Sequence, residues 1–535
     1  MLLRAFFITT GLLVSATLPS TLHATEISPA LQSISNELRQ QLTTQATGKF
    51  NPVLDKQLLL KFYEPREFYP AWVDLNGSLP RAEVLRQVLQ TADQDGLDVN
   101  DYHPDPIQLL WNARSATKLA QLEFLLTDAF FRYSVHLRAG QFQENDFYWD
   151  IAPPVVDPVA ELRYLLTVNS FQSALHDLTP FHAGYVRLRE ALNKYQQLEK
   201  SGGWPLIPSG PILKKGRWHK QVAILRQRLI AEGDLKIEPV INARFFDQTV
   251  KSAMKRFQIR HGLKADGIVG PDTRTAMNVP VSKRIKQIQF NMERWRWLPK
   301  WLGRRYIMVN TAGFNLVVVE NENIQFAMSV IIGKPDRPTP VTSSKLHTIV
   351  FNPFWTVPPT IIFEDFLPQQ QRDPTFFSSK QIRVFKNGNE LEPAEIDWTQ
   401  VSQDYFPYVL RQDPGPQNSL GRLKFLFNNA YTVYLHDTPG KHLFDLNSRS
   451  LSSGCIRVQE PVQLASYLLG QKNGWTEEKI RTSIESGKYL QVPIPESIPI
   501  YLVYMTAWVE ENMSVHFRPD IYDRDPKGAK CDRLP

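Results

Sequence analysis

The sequence predicts an α+β multidomain protein with a helical N-terminal domain, a compact three-helix unit and a mostly-β C-terminal domain that carries an insertion. Its 535 residues are enough for three or four domains at roughly 150 residues each. Hydrophobic residues make up 42% and charged residues 21%, which excludes a disordered chain and allows several buried cores. Apolar residues recur at helical spacing in the first half of the chain, whereas β-rich runs dominate after Arg305.

Composition also excludes several classes of protein. Lys and Arg number 61 against 54 Asp and Glu, and this net charge of +7 suits an anionic surrounding such as a cell wall. No run of Lys and Arg is interleaved with aromatic residues, so nucleic acid is not an expected partner. Two cysteines exclude a disulfide scaffold and a Cys-based zinc site, and the 11 histidines form no His-Glu-x-x-His motif. We therefore expect neither a metal nor a cofactor.

The N-terminus is typical of a secretory signal peptide. Arg4 is followed by an apolar stretch from Ala5 to Leu18 and then by small and polar residues up to Ala24. This apolar run is short and interrupted for a membrane anchor, so we predict a signal over residues 1–24 and no stable membrane span after cleavage. An exported protein works without ATP, and any bond-making reaction must take its energy from the substrate.

Residues 25–213 are predicted to form a helical scaffold domain. The segment Leu119–Leu137 carries apolar residues at helical spacing, and polar breaks separate this helix from its neighbours. No residue of this region suggests catalysis. The stretch Ser201–Pro211 is a plausible linker to the next unit.

Residues 214–280 are predicted to fold as three helices. Asp247 can cap the second helix, whose apolar face repeats at i, i+3, i+4 and i+7 from Val250, and Pro271 suits the first turn of the third. The segment resembles the helical peptidoglycan-binding module of wall enzymes over about 60 residues. The resemblance depends on the Gly, Asp and Thr spacings of Phe257-Gln258, Gly262-Leu263 and Asp266-Gly267-Ile268-Val269-Gly270-Pro271-Asp272-Thr273. It implies a location at the wall but no reaction, and a generic three-helix bundle is the alternative.

Residues 300–500 are predicted to form a mostly-β domain. Its β-rich runs are Tyr306–Val309, Asn315–Val319, Phe326–Ile332, Leu346–Phe351, Leu423–Phe427 and Tyr431–Leu435, and helical patterns return at Pro461–Leu469 and Thr476–Ser486. An aromatic-containing insertion lies between them, from about Glu364 to Leu420. Its length suggests a cap over a site, and a surface insertion with its own small core is the alternative. Residues 501–535 are predicted to be a C-terminal strand and tail.

Two residues of this β domain suggest nucleophilic catalysis. His436 and Cys455 are 19 residues apart, so a strand, a loop and a return could bring them together. An imidazole can take the thiol proton, and an imidazolium would stabilise the thiolate. The N–H groups of Gly454 and Cys455 could form an oxyanion hole, and Arg457 could bind a substrate carboxylate. The alternative is a packed histidine and an inert buried thiol. Cys531 lies in a polar tail without a nearby histidine.

The run from Asn310 to Val458 resembles the L,D-transpeptidase catalytic domain. The matching pieces are Ile331-Ile332-Gly333-Lys334-Pro335, Thr339-Pro340, Asn352-Pro353-Phe354-Trp355-Thr356-Val357-Pro358, His436 and Ser452-Ser453-Gly454-Cys455-Ile456-Arg457. Ser453 stands where the family commonly has His, which puts substrate contacts in doubt but leaves Cys455 and His436 in place. The resemblance implies that Arg457, Tyr434, Ser453 and Trp355 contact substrate. It also extends to large Gram-negative members that combine a helical scaffold, a wall-binding module and a capped catalytic domain.

This resemblance implies a periplasmic enzyme of cell-wall organisation and cell shape. Such an enzyme forms 3–3 cross-links between peptidoglycan stem peptides through a cysteine thioester, releases D-Ala from a tetrapeptide donor and is a carbapenem target. Other wall synthases are conceivable partners. A papain-like endopeptidase or amidase is one alternative, although its Cys normally precedes its His, and a non-catalytic wall-binding scaffold is another. The acceptor could also be a lipoprotein, a free D-amino acid or water, and the sequence does not decide the oligomeric state.

Overall fold

The computed structural model describes residues 29–43, 55–142, 149–470 and 473–526. The predicted signal peptide and Cys531 lie outside the described residues. The chain divides into two compact units, residues 1–84 with 105–128 and residues 85–104 with 129–535. In the first unit the buried Glu123 carboxylate accepts hydrogen bonds from the main-chain N–H groups of Trp72 (2.7 Å) and Val73 (3.1 Å). The candidate site lies entirely in the second unit.

The predicted α+β multidomain class is confirmed. The helices are α1 (Pro29–Thr43), α2 (Lys56–Tyr63), α3 (Pro80–Gln90), α4 (Pro104–Leu110), α5 (Ala116–Ala139), α6 (Pro158–Leu165), α7 (Phe171–His176), α8 (Ala183–Lys200), α9 (Lys220–Glu232), α10 (Gln248–Arg260), α11 (Pro271–Met277), α12 (Val281–Arg296), α13 (Pro359–Ile361), α14 (Leu367–Arg372), α15 (Phe376–Ser379), α16 (Pro461–Leu469) and α17 (Glu477–Glu485). The strands are β1 (Val73–Asp74), β2 (Gly77–Ser78), β3 (Trp149–Asp150), β4 (Arg305–Asn310), β5 (Asn315–Glu320), β6 (Asn323–Gly333), β7 (Val341–Phe351), β8 (Trp355–Thr356), β9 (Arg383–Lys386), β10 (Asn389–Leu391), β11 (Val409–Gln412), β12 (Leu423–Phe427), β13 (Leu435–His436), β14 (Ser450–Ser452), β15 (Ile456–Val458), β16 (Leu490–Val503), β17 (Ala507–Val509) and β18 (Val515–Phe517).

The three-helix unit begins and ends its helices where the capping residues require. Asp247 accepts a hydrogen bond from the N–H of Val250 (2.9 Å) at the start of α10, and Pro271 opens α11. Val250, Ala253, Met254 and Phe257 are fully buried, which confirms the predicted apolar face of α10. The unit therefore has a core of its own.

The large sheet of the β domain closes on itself. Its strand order is β12-β13-β15-β6-β5-β4-β16-β7, and β7 also pairs with β12. Buried aliphatic and aromatic residues from alternating positions fill the interior, and α16 contributes Leu464 and Leu468 to the same core. Closure leaves β13 and β15 as adjacent parallel strands in the wall of this sheet.

Two segments outside the predicted β domain also form strands, and one of them, β3, joins this sheet. β3 pairs in parallel with the start of β7, with Trp149 opposite Val341. Beyond β16, the hairpin of β17 and β18 packs with α8 and α12, and Ala507, Val509, Val515 and Phe517 are buried there. The C-terminal region is thus ordered as far as the structure describes it, to residue 526.

The insertion is a small subdomain with its own sheet and core. Its four strands have the order β10-β9-β11-β8, and its core includes Phe377, Val384, Trp398 and Leu410. The core also takes in Trp355, so the subdomain begins earlier than the predicted Glu364. We call residues 355–420 the cap subdomain.

The predicted strand Tyr431–Leu435 is only partly present. Thr432 has a positive φ of 55°, and the Asn429 side chain accepts hydrogen bonds from the N–H groups of Tyr431 (3.1 Å) and Val433 (3.0 Å). The first residues of the β-rich run belong to this turn, so only Leu435–His436 forms the strand. Among the described helices none is long and apolar enough to cross a membrane.

Candidate active site

The side chains of the predicted catalytic pair lie on one face of two adjacent strands. β13 runs parallel to β15, with Leu435 opposite Ile456 and His436 opposite Arg457. Leu435 and Ile456 are fully buried in the core of the closed sheet. Because side chains alternate along a strand, Tyr434, His436, Cys455 and Arg457 project from the opposite face.

This face forms one wall of a cleft with a volume of ≈ 1290 Å³. Every site residue predicted from the sequence lines it, namely Cys455, His436, Gly454, Arg457, Tyr434, Ser453 and Trp355. The opposite side of the cleft is formed by the cap subdomain, including Thr356, Ile361 and Phe366. The fold therefore brings together all the residues that the sequence singled out.

Tyr434 lies beside Cys455 in the cleft, and its hydroxyl and main chain favour the thiolate, which lowers the pKa of the Cys455 thiol. Burial nevertheless raises the pKa of the Cys455 thiol above its ordinary value, because the apolar surroundings disfavour the thiolate. The Cys455 side chain is therefore a neutral thiol at neutral pH.

His436 is buried and neutral. Burial, assisted by the nearby Arg457 guanidinium, lowers the pKa of His436 to about 3. Its Nδ1 lies 2.5 Å from the carbonyl oxygen of Asp437. Since a carbonyl can only accept, Nδ1 carries the proton in the neutral ring and Nε2 remains a base.

The interpretation of His436 as a resident cation beside the thiolate is therefore wrong. The charged groups whose field favours the Cys455 thiolate are Lys424 and Arg457. Lys424 lies directly opposite His436 on β12, and its Nζ is 3.8 Å from the centre of the Tyr434 ring. Burial lowers the pKa values of both Lys424 and Arg457. The Nε atom of Arg457 is buried and has no hydrogen-bond partner among the described residues.

The loop that carries the nucleophile is held by a network of hydrogen bonds. Gly454 has a φ of +110°, which a side chain would strain, and its N–H donates to the Ser452 hydroxyl (3.2 Å). The carbonyl of Gly454 accepts a hydrogen bond from the Thr339 hydroxyl (2.8 Å). Of the two proposed oxyanion-hole donors, the N–H of Gly454 is thus engaged, whereas that of Cys455 has no acceptor in the described part of the chain.

Ser453 connects the nucleophile loop to the cap through Arg337. The Arg337 guanidinium donates to the Ser453 hydroxyl (3.0 Å), to Glu364 (2.9 Å) and to Asp365 (3.1 Å). Trp355 packs edge-on against Phe366, with ring centres 5.9 Å apart, and is buried in the cap core. Ser453 and Trp355 therefore line the cleft but also have structural partners.

Lys424 and Arg337 were missed by the sequence reasoning, and Thr339 was named only as part of the family resemblance, without a role in the site. Lys424 was detectable as the one charged residue in the apolar run Leu423–Phe427. Arg337 and Thr339 lie in a loop whose path depends on the closed sheet. Among the described residues, no group of three or more His, Cys, Asp or Glu side chains could hold a metal ion.

Comparison with known families assigns a description to each domain. Residues 304–485 match the model described as "L,D-transpeptidase catalytic domain". Residues 219–277 match a "Putative peptidoglycan binding domain", and residues 57–192 match a "Scaffold domain". The chain thus has one segment similar to L,D-transpeptidase catalytic domains and another similar to peptidoglycan-binding domains.

One similar curated protein comes from Haemophilus influenzae (strain ATCC 51907 / DSM 11121 / KW20 / Rd) and is named "Putative L,D-transpeptidase". It is 38% identical over 253 residues, which cover 46% of this chain and 50% of that protein. The chain therefore spans about half the length of the curated relative that it matches.

Two solved structures are also similar, each at 14% identity. An L,D-transpeptidase fragment (residues 123-326) from Xylanimonas cellulosilytica DSM 15894 covers 55% of this chain and 99% of its own, with a TM-score of 0.19. An L,D-transpeptidase from Stackebrandtia nassauensis covers 56% of this chain and 96% of its own, with a TM-score of 0.22. These scores are too low to support an argument, so the assignment rests on the family models.

Proposed function

We propose that this protein is a peptidoglycan L,D-transpeptidase that forms 3–3 cross-links between stem peptides through a Cys455 thioester. The observation that carries the proposal is the joint placement of Cys455, His436 and Arg457 on one face of β13 and β15, in the cleft of a domain that matches the L,D-transpeptidase model. The predicted signal peptide supports export, and the proposed location of the reaction is the periplasm. Contacts with other wall synthases are part of the same proposal.

The proposed reaction has two steps. In the first, His436 Nε2 takes the Cys455 proton as the sulfur attacks the carbonyl of the third stem residue, meso-diaminopimelate. The C–N bond to D-Ala breaks, and the same imidazolium returns the proton to the departing amine. The thioester keeps the acyl group activated, so no ATP is needed.

In the second step an amine of another stem attacks the thioester. The new C–N bond forms, the C–S bond breaks, and the amine loses its proton through His436 as the thiol is restored. The Cys455 N–H has no acceptor among the described residues, so it is available for the oxygen of each tetrahedral intermediate. We assign Arg457 to a substrate carboxylate because its buried Nε lacks a hydrogen-bond partner in the part of the chain that the structure describes.

The cap subdomain is proposed to position the acceptor and exclude water. Its residues line the cleft opposite Cys455, and Arg337 joins Glu364 and Asp365 of the cap to Ser453 beside the nucleophile. Water competes with the acceptor amine for a thioester, so a cover over the site would favour cross-linking over hydrolysis. The cap has its own core, as a surface insertion would, but its position on the cleft supports the functional role.

Incubation of the full chain with purified disaccharide-tetrapeptide tests the proposal. We expect mass analysis to find D-Ala release and a tetrapeptide–tripeptide dimer for the natural chain and for Cys531→Ser, and neither product for Cys455→Ala. Carbapenem should add covalently to Cys455 in the first two proteins alone. Cutting without dimer formation would favour an endopeptidase, and turnover by Cys455→Ala would remove Cys455 from its role.

A further inference from the structure

The direction of the Cys455 N–H is set by a hydrogen bond to the carbonyl of the same peptide group. The peptide between Gly454 and Cys455 joins the Gly454 carbonyl to the Cys455 N–H. A trans peptide is planar, so its C=O and N–H point in opposite directions. The Thr339 hydroxyl donates to this carbonyl at 2.8 Å, and it therefore fixes the N–H on the side away from Thr339. Any rotation of this plane would move the oxyanion donor.

Thr339 is fully buried, and each of its polar atoms makes a hydrogen bond. Its hydroxyl oxygen accepts a hydrogen bond from the N–H of Gly333 (2.9 Å). Its N–H donates to the Tyr522 hydroxyl (3.3 Å), and its carbonyl accepts from Nη1 of Arg524 (3.2 Å). Tyr522 also donates to the carbonyl of Gly333. Two of the groups that hold Thr339 thus come from the C-terminal segment, more than 60 residues after Cys455.

The C-terminal segment is rigid enough to serve as a support. Arg524 is buried, with its guanidinium 4.8 Å from the Tyr522 ring centre, and Tyr522 stacks on Tyr504 with ring centres 5.3 Å apart. Arg294 of α12 donates to the Arg524 carbonyl (3.0 Å) and pairs with Asp525 (2.8 Å). Burial raises the pKa of Tyr522 to about 12, so its hydroxyl stays protonated and can donate throughout the neutral range.

We propose that Tyr522 and Arg524 are positioning residues that act through Thr339 to aim the Cys455 N–H at the oxyanion formed on the scissile carbonyl. This inference rests on the proposed function, because it needs Cys455 to be acylated. Neither residue is proposed to touch substrate. The C-terminal segment would then be part of the catalytic apparatus rather than a tail.

Two reactions of the same thiol distinguish this role from simple stability. Acylation by a carbapenem passes through an oxyanion, whereas alkylation by iodoacetamide displaces a halide and forms none. Removing one oxyanion-hole donor costs on the order of 10²–10³ in rate. A misdirected donor should lose part of this rate enhancement. We therefore expect Thr339→Val and Tyr522→Phe to slow acylation by roughly ten- to a hundredfold. Alkylation should change less than about twofold.

Conservative and matched variants complete the experiment, which uses the full chain. Thr339→Ser keeps the hydroxyl and should restore acylation, and Arg524→Lys should fall between Arg524→Ala and the natural chain. Tyr467→Phe is the control, because the Tyr467 hydroxyl bonds Glu320 elsewhere on the same domain. An equal ratio of acylation to alkylation in all variants would overturn the proposal, as would equal loss of both reactions. Failure of the natural chain to acylate at Cys455 would instead count against the proposed function.

Discussion

Replacement of His436 by alanine should change both the rate and the pH dependence of Cys455 acylation. Burial lowers the pKa of His436 to about 3 and raises that of the Cys455 thiol above its ordinary value of about 8.5. At pH 7 the thiol is then almost entirely protonated. The natural protein must therefore remove the proton during the reaction, and a base with a pKa of about 3 is available throughout the range from pH 5 to 8. Its acylation rate should vary little over that range.

In His436→Ala only the thiolate that is already ionised can react. The thiolate fraction rises about tenfold per pH unit until the pH reaches the pKa of the thiol. The acylation rate should therefore rise by the same factor. At pH 7 it should lie on the order of 10²–10⁴ below the natural rate, the usual contribution of a positioned acid–base group.

Single-turnover acylation by a carbapenem, followed by intact mass from pH 5 to 9, measures this difference. His347→Ala is the matched control, since His347 is a half-buried histidine of β7 that does not line the cleft. A tenfold slope per pH unit in the natural protein would refute the argument, because it would show that His436 does not take the proton. Parallel profiles in the two proteins would have the same consequence.

Three further predictions concern the cations and the cap. Lys424→Met should raise the pKa of the Cys455 thiol, since the ammonium favours the thiolate, and a pH profile of iodoacetamide alkylation should shift upwards. Arg337→Ala should loosen the contact between the cap and Ser453 and raise the ratio of hydrolysed to cross-linked product, whereas Arg337→Lys should have a smaller effect; equal ratios would exclude this role. Replacing residues 364–413 by a Gly/Ser linker should leave alkylation of Cys455 intact and greatly reduce cross-linking, and equal cross-linking would refute the cap.

The end point of that replacement follows from the structure. The predicted insertion ran to Leu420, but Leu420 is buried and its main chain acts on His436, whose pKa it raises. Removing it would disturb the base as well as the cap. Sequence patterns located the insertion because it interrupts β-rich runs, but they could not show which of its ends touch the site.

The core strands were predictable because their apolar and β-branched residues cluster, and β12 and α16 have the predicted bounds. β16 was missed because it contains Pro493, Pro495 and Pro499, which argue against a central strand. In the structure a register shift lies between Pro493 and Ile498, and pairing with β4 starts only at Ile500. The three prolines therefore lie in the part of β16 that pairs with β7 alone and makes no hydrogen bonds to β4.

Pairings between distant segments could not be predicted from the sequence, for a different reason. β3 has only two residues, and its place beside β7 depends on where the preceding helices leave the chain. The contacts of Tyr522 with Thr339 likewise join residues 183 positions apart. The placement of Cys455 and His436 in one cleft was predictable, since both carry recognisable chemistry in short motifs, whereas their supports are ordinary residues whose role comes from their position.

The charge of Arg457 contributes to the pKa shifts of both His436 and Cys455, and a bound substrate would change that contribution. Arg457 is the second cause, after burial, that lowers the pKa of His436, and it also favours the Cys455 thiolate. A donor carboxylate bound to Arg457 would offset its positive charge, so it would make His436 a stronger base and leave the thiol protonated until attack. Because oxidation follows thiolate character, the burial that raises the pKa of the Cys455 thiol also makes the thiol less oxidisable. Arg457 opposes this protection, and a carboxylate that offsets its charge would both keep the thiol protonated and strengthen His436 as a base.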